Sequence, residues 1–386
     1  MPSQPRPGPL SGLLVADFSR VLAGPYATML LGDLGADVIK VESPTGDDTR
    51  GWVPPERDGV STYFLAANRN KRSVVLDFRD KADLAAAVEL ARRADIMVEN
   101  FRPGTLARYG LDYDTVSAAN PGLIYASVTG FGSGGGASLP GYDVIVQAMS
   151  GLMSLTGDAD GPPRRAGISL VDVFAGLHTA TGVLAALHHR AATGQGQHVE
   201  ASLMLSALSA MANQASAYVA GGVVPFRMGN AHPSIFPYGP LPTRDGELVI
   251  AAGNNSQFRK LCEVIGAPEL ADAPGFATTG DRTARRVELR RLLVEKLAKR
   301  SAAEWFPLLV AAGVPCGPIN TVEAGVAFAR EVGLEPVVTA GEADTAVPVI
   351  RHPVRYSATE PSYPLPPPAL DSHGEEIRRW LRTPTA

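Results

Sequence analysis

Leu13-Leu-Val-Ala-Asp-Phe18, then a segment opened by Gly24-Pro25 and running to about Leu34, then Ala36-Asp-Val-Ile-Lys-Val-Glu42: this stretch decides the fold. The two apolar runs have strand length, and a proline near the first turn of the intervening segment suits a helix start. The unit repeats. Ser73-Val-Val-Leu-Asp-Phe78 reads as a strand, residues 81–93 as a helix, Asp95-Ile-Met-Val-Glu-Asn-Phe101 as a returning strand, and Leu123-Ile-Tyr-Ala-Ser-Val128 as one more. Strands alternating with helices predict a Rossmann-like, doubly wound parallel α/β sheet. Such sheets bind ligands beyond the carboxyl ends of their strands. Those ends carry Ser19-Arg20, Glu42-Ser43, Asn100-Phe101-Arg102 and Thr129-Gly130.

At 386 residues the chain exceeds one typical core, so more than one domain is expected. Glycine and proline crowd residues 221–242, which marks a boundary. The expected division is residues 1–222 as a large catalytic domain, 223–327 as a smaller α/β domain, and 328–386 as a return to the large domain with a C-terminal tail. That tail is proline-rich at 361–368 and ends in a basic helix over 375–381.

Hydrophobic residues at 45% and charged residues at 19% are ordinary for a soluble enzyme. A net charge of −4 argues against nucleic-acid or membrane-surface partners. Cys262 and Cys316 have neither metal-ligand spacing nor a disulfide framework, so no metal and a reducing, cytoplasmic location are expected. The first residues, Met-Pro-Ser-Gln-Pro-Arg-Pro-Gly-Pro, lack the apolar core of a signal peptide. No apolar run approaches the ~20 residues of a membrane span. Arginines outnumber lysines 29 to 6, which lowers the weight of any single arginine as a phosphate ligand.

Three local motifs bear on chemistry. Gly130-Phe-Gly-Ser-Gly-Gly135 matches the dinucleotide pattern G-x-G-x-x-G, but Gly136-Ala-Ser-Leu-Pro140 breaks the helix that would hold a pyrophosphate, so a flexible glycine loop is expected. His188-His189 are adjacent on a helix and share no face for a metal. Asp172, in Gly167-Ile-Ser-Leu-Val-Asp-Val-Phe-Ala-Gly-Leu177, falls just before an alanine-rich helix over 175–192. There the helix dipole and unpaired N–H groups would keep its carboxylate ionised, as a helix cap or as a nucleophile.

A series of stretches resembles the class III coenzyme A transferases, the family of formyl-CoA transferase, carnitine CoA-transferase and α-methylacyl-CoA racemase. In order these are Leu10-Ser-Gly-Leu-Leu-Val-Ala-Asp-Phe18, Ala23-Gly-Pro25, Leu34-Gly-Ala-Asp-Val-Ile-Lys-Val-Glu42, Asn70-Lys-Arg-Ser73 and Ala94-Asp-Ile-Met-Val-Glu-Asn-Phe-Arg-Pro-Gly104. Gly141-Tyr-Asp-Val-Ile-Val-Gln-Ala148, the Asp172 segment, Thr193-Gly-Gln-Gly-Gln197 and Ala312-Gly-Val-Pro-Cys-Gly-Pro318 complete it. The likeness spans nearly the whole chain from Leu10.

The resemblance implies that Asp172 is a nucleophile that takes the acyl group of an acyl-CoA as an aspartyl anhydride. CoA returns to form an aspartyl-CoA thioester, and the acceptor acid then attacks. A mixed anhydride keeps enough acyl-transfer potential to remake a thioester, which a serine ester would not. Backbone N–H groups at the start of the Asp172 helix would serve as oxyanion donors. Racemases of the family carry histidine where this chain has Tyr142. A phenol of pKa about 10 is a poor α-proton base, so the racemase alternative is disfavoured. By the same resemblance CoA falls to Leu22, Ala23, Leu76, Arg79, Asn100, Phe101, Arg102, Arg108 and Tyr142. Within that set Leu22 replaces a glutamine and Arg79 a lysine, while the neighbouring Ser43 replaces an arginine. The family's glycine-rich loop is reduced to Ala251-Ala-Gly-Asn-Asn255, so Gly253, Asn254 and Asn255 are expected to meet the substrate. That departure, with Gly229-Asn-Ala-His-Pro-Ser234, argues against formate and oxalate and for dicarboxylates of the succinate or glutarate type. The resemblance further implies an interlocked homodimer, no permanently bound cofactor, and a CoA thioester as substrate.

Overall fold

The computed structural model describes residues 7–384, and the chain divides into two compact units. The first unit holds the chain up to Leu152, then Arg165–Val224 and Glu335 onward; the second holds Met153–Arg164 and Pro225–Leu334. The short detour of Met153–Arg164 into the second unit is absent from the sequence-based division.

The first unit is built on a six-stranded, all-parallel sheet. Its strands are β1 (Leu14–Asp17), β2 (Asp37–Glu42), β3 (Lys71–Val75), β4 (Ile96–Glu99), β5 (Ile124–Thr129) and β6 (Gln197–Ser202), in the order β3-β2-β1-β4-β5-β6. Residues alternate between two cores. Leu14, Ala16, Ile39, Val41, Met97 and Tyr125 face helix α2 (Lys81–Arg93) and the C-terminal helix α10 (Gly374–Arg382). Val15, Val38, Ile96, Val98, Ile124 and Ala126 face α1 (Ala23–Asp33) and α5 (Leu170–Thr193). Helices on both faces make the sheet doubly wound, as expected, and the chain reverses direction across it between β1 and β4. The central strands are buried on both faces, which is why they read as unbroken apolar runs.

Two boundaries shift from the expected ones. β3 starts at Lys71 and stops at Val75 instead of spanning 73–78, because its partner β2 ends at Glu42, paired with Val75. Its charged start is buried by ion pairs, Lys71 with Asp17 and Arg72 with Asp37. The outer edge of β3 is covered by the tail, where Leu365 accepts from Asn70 N–H and Ser73 from His373 N–H, so no bare strand edge faces water there. Helix α5 begins at Leu170, not Ala175, and Asp172 is therefore its third residue and not its cap. By length and composition this 24-residue helix could cross a bilayer, contrary to the expectation that nothing could. Its buried side, from Val171 through Ala175, Gly176, Thr179 and Val183 to Ala186, packs in the core of the first unit.

The second unit has its own core around a three-stranded sheet of Tyr238–Pro242, Glu247–Ala251 and Cys316–Pro318. That sheet is antiparallel, so the parallel α/β alternation is confined to the first unit. Two consecutive helices of this unit, Thr279–Ala284 and Arg286–Leu297, are separated at Arg285.

Candidate active site

A cleft opens at the carboxyl ends of β1, β4 and β5, at the point where the strand order reverses. Its floor is a small apolar cluster in which Ala23, Val128, Val171, Ala175 and Leu203 meet, joining the starts of α1, α5 and α6 (Leu203–Ala210) to the end of β5. Gly176 permits this approach, since a Cβ there would lie 2.7 Å from the Ala23 carbonyl oxygen. Asp172 stands one turn before Gly176 and faces the cleft.

The loop after β1 is held from two sides. The Asn100 side chain accepts from Arg20 N–H (3.0 Å) and donates to the Arg20 carbonyl (2.8 Å). Asp47 accepts from Val21 N–H at 3.2 Å, with Val21 in the left-handed region at φ 69°, an unusual place for a β-branched residue. Behind this loop lies a fully buried charge cluster. Lys40 donates to Asp47 (2.9 Å) and to the Ser19 carbonyl (3.0 Å), while Lys71 donates to Asp17 (2.9 Å), which also accepts from Thr28 (2.7 Å). Burial works against the Asp17 charge, yet Lys71 and Lys40 hold its pKa below the ordinary value; burial pulls Lys71 down to about 8.

The pair at the cleft is wired differently. Asp143 opens helix α4 (Asp143–Met149) and is 8% exposed. Its Oδ1 accepts from the N–H groups of Val171 (2.8 Å) and Asp172 (3.3 Å), and its Oδ2 from Gln147 Nε2 (2.6 Å). Gln147 in turn accepts from Ala166 N–H (2.9 Å). The Asp172 carboxylate accepts no hydrogen bond from the described residues. Burial and then the Asp143 charge push its pKa up to about 7. The expected stabilisation of an ionised Asp172 by its own helix is thus reversed, because Asp143 occupies the donors that would supply it. The same N–H groups are therefore also not free to serve as oxyanion donors. The helix start with free donors is that of α1, where Leu22 gives no side-chain cap and Ala23 and Gly24 N–H have no partner among the described residues. A carboxyl group that titrates near neutrality in a cleft is suited to act as a base or a nucleophile.

Of the expected positions, Leu22, Ala23, Asn100, Phe101, Arg102, Tyr142 and Asp172 come together here. Leu76 and Arg79 line an adjoining cavity with Ser43, Phe78 and Tyr109, and Phe101 belongs to both. Arg79 is bound to Asp77 at 2.7 Å. Arg108 is exposed on the turn Leu106–Tyr109 and lines neither cavity. Gly253, Asn254 and Asn255 lie in the second unit. There Asn254 caps helix α7 (Asn255–Val264) and Asn255 Oδ1 accepts from the buried Arg282, leaving both amide nitrogens without a described acceptor. Arg20 lies at the strand end where a ligand was expected, whereas sequence reasoning missed Asp143, which holds the start of the Asp172 helix, and the glycine loop as a wall of the cleft. The loop from Phe131 to Pro140 forms one wall, closed at its neck where Gly130 and Gly141 touch; a Cβ on Gly130 would lie 2.6 Å from the Gly141 Cα.

The sequence model of CoA-transferase family III matches residues 10–374. The chain belongs to CoA-transferase family III. It is 42% identical to the succinate–glutarate CoA-transferase of Agrobacterium fabrum, over 98% of this chain and 97% of that one. It is 40% identical to the acetyl-CoA:oxalate CoA-transferase of Acetobacter aceti, over 100% and 98% of the two chains. Among solved structures, a CaiB/BaiF family protein from Brucella suis superposes with a TM-score of 0.86 at 43% identity, covering 97% of this chain and 100% of that one. This family III CoA-transferase thus carries its cleft at the switch point of a doubly wound sheet, with Tyr142 and Asp172 in its lining.

Proposed function

We propose that this enzyme moves CoA from an acyl-CoA to a dicarboxylic acid of the succinate or glutarate type, with Asp172 as the nucleophile. The single observation that carries the mechanism is Asp172 itself, an unpaired carboxyl group at a cleft whose pKa is raised to about 7. Its oxygen attacks the thioester carbonyl, the C–S bond breaks, and CoA leaves as the thiolate. Thiolate attack on the aspartyl carbonyl then releases the donor acid and forms aspartyl-CoA. The acceptor carboxylate displaces CoA from that thioester, giving a new anhydride. CoA attacks its acyl carbon, which frees Asp172 and yields the new acyl-CoA. The Ala23 N–H at the start of α1, on a residue that lines the cleft and with no partner among the described residues, is the proposed donor to a developing oxyanion.

CoA is assigned to the joined cavities, its reactive end beside Asp172 and Tyr142 and its nucleotide toward Leu76, Arg79 and Tyr109, with Arg20 and Arg102 flanking the path. Gly253, Asn254 and Asn255 are proposed as acceptor-side residues, the two asparagines through side-chain amide nitrogens that have no acceptor among the described residues. The working form is a cytoplasmic homodimer with no permanently bound cofactor and no nucleic-acid or membrane partner. The Agrobacterium fabrum relative named for succinate and glutarate supports this acceptor class, and the Acetobacter aceti relative named for oxalate sets the competing one. A panel of free acids offered with succinyl-CoA, read by mass spectrometry, should give glutaryl-CoA well above oxalyl-CoA. The reverse ranking would overturn the acceptor assignment and leave the nucleophile untouched.

A further inference from the structure

We propose that Asp143 is a positioning residue of the transfer reaction, capping the helix that carries Asp172 and keeping the nucleophile unpaired and basic. The inference rests on the reading of Asp172 as nucleophile. A carboxylate in the first turn of a helix normally gains from free N–H groups, which would make it a weaker base. Here Val171 and Asp172 N–H both donate to Asp143 Oδ1, and Val173 N–H goes to the Ser169 carbonyl. Asp143 is itself fixed by Gln147, whose amide orientation is set by Ala166 N–H. Both Asp143 oxygens accept, the pattern of an ionised carboxylate. A negative charge is thereby locked beside Asp172.

The other groups facing Asp172 do not offset that charge by contact. Tyr63, on the short helix Thr62–Ala67, binds Ser169 at 3.2 Å, and Tyr142 lines the same cleft 55% exposed. Arg20 and Arg102 line the cleft too, Arg20 paired with Asp48 at 3.1 Å. When the Asp172 oxygen bonds to the thioester carbon and sulfur leaves as thiolate, Asp172 loses its charge. Its repulsion with Asp143 is then relieved in the same step. A more basic carboxylate is also the stronger nucleophile.

The test is the rate of covalent adduct formation on Asp172 with succinyl-CoA, followed by rapid quench and mass spectrometry across pH. The native enzyme should show a midpoint near neutrality, activity rising with pH. Asp143→Asn can still accept from both N–H groups but carries no charge. Its midpoint should fall by about one pH unit, and its plateau by about threefold if carboxylates follow the nucleophilicity slope known for thiolates. Asp143→Glu should restore the native midpoint. An Asp143→Asn enzyme with a lower plateau but an unmoved midpoint would reduce Asp143 to a structural cap and overturn the proposal. So would a native midpoint below about pH 5, a measurement that needs no variant. Absence of any Asp172 adduct in native enzyme would instead overturn the nucleophile reading.

Discussion

Two carboxylate clusters lie in the same unit, one at the end of strand β1 and after strand β2 and the other at the starts of helices α4 and α5, and they are wired in opposite senses. Asp17 and Asp47 are each matched by a buried lysine and held below the ordinary carboxylate range. Asp172 has a second carboxylate for a neighbour and is pushed up to about 7. Burial is common to both; the difference is the sign of the nearest charge. Paired charges make scaffold, whereas an unpaired one is left free to react.

Replacing Asp172 should produce the largest effect. Asp172→Ala is expected to lower transfer by more than about a thousandfold, without loss of thermal stability, measured by succinyl-CoA turnover alongside calorimetry. Retention of more than a few per cent of activity would end its role as nucleophile. In the opposite cluster, Lys71→Met strands Asp17 in the interior and should cost about 3–5 kcal/mol of stability in a denaturant titration. A cost below 1 kcal/mol would erase the contrast between the clusters.

The pH dependence separates them further. Burial and the Asp143 charge push the Asp172 pKa from the ordinary 3.8 up to about 7 in the folded enzyme, so its contribution to stability is full below about pH 4 and lost as pH rises through 7. Asp172→Asn should therefore gain stability over native enzyme between pH 5 and pH 8, on the order of 1–3 kcal/mol. A difference that stays flat with pH would contradict the raised value. Gly176→Ala should cost about 1–3 kcal/mol by driving α5 from α1, and should depress turnover beyond what unfolding explains. The smallest effect belongs to Arg79→Ala at the rim. Its exposed pair with Asp77 adds little to folding, so Tm should hold while KM for acyl-CoA rises about threefold, as expected for a rim charge touching a phosphate.

The sheet was legible because its central strands are buried on both faces and read as apolar runs, and the loops at their ends drew attention to Asn100, Phe101 and Arg102. The start of β3 was hidden by Lys71 and Arg72, whose burial depends on Asp17 and Asp37 far away in sequence. Asp172 was found, but its electrostatics were read with the wrong sign. Nothing near residue 172 reveals that a carboxylate 29 positions earlier takes its helix donors. Asp143 passed unnoticed for the same reason, and the glycine loop because rejecting it as a nucleotide motif left no local cue that it walls a cleft.

The touching of Gly130 and Gly141 has a consequence for how such enzymes diversify. Because the loop leaves and re-enters the fold at one point, the ten residues from Phe131 to Pro140 form an exchangeable cassette. Its length and composition can drift, or be grafted from a relative, while the strand before it and the helix after it keep their places. The wall of the cleft can then change its preference for one thioester over another without touching the residues that break the bond.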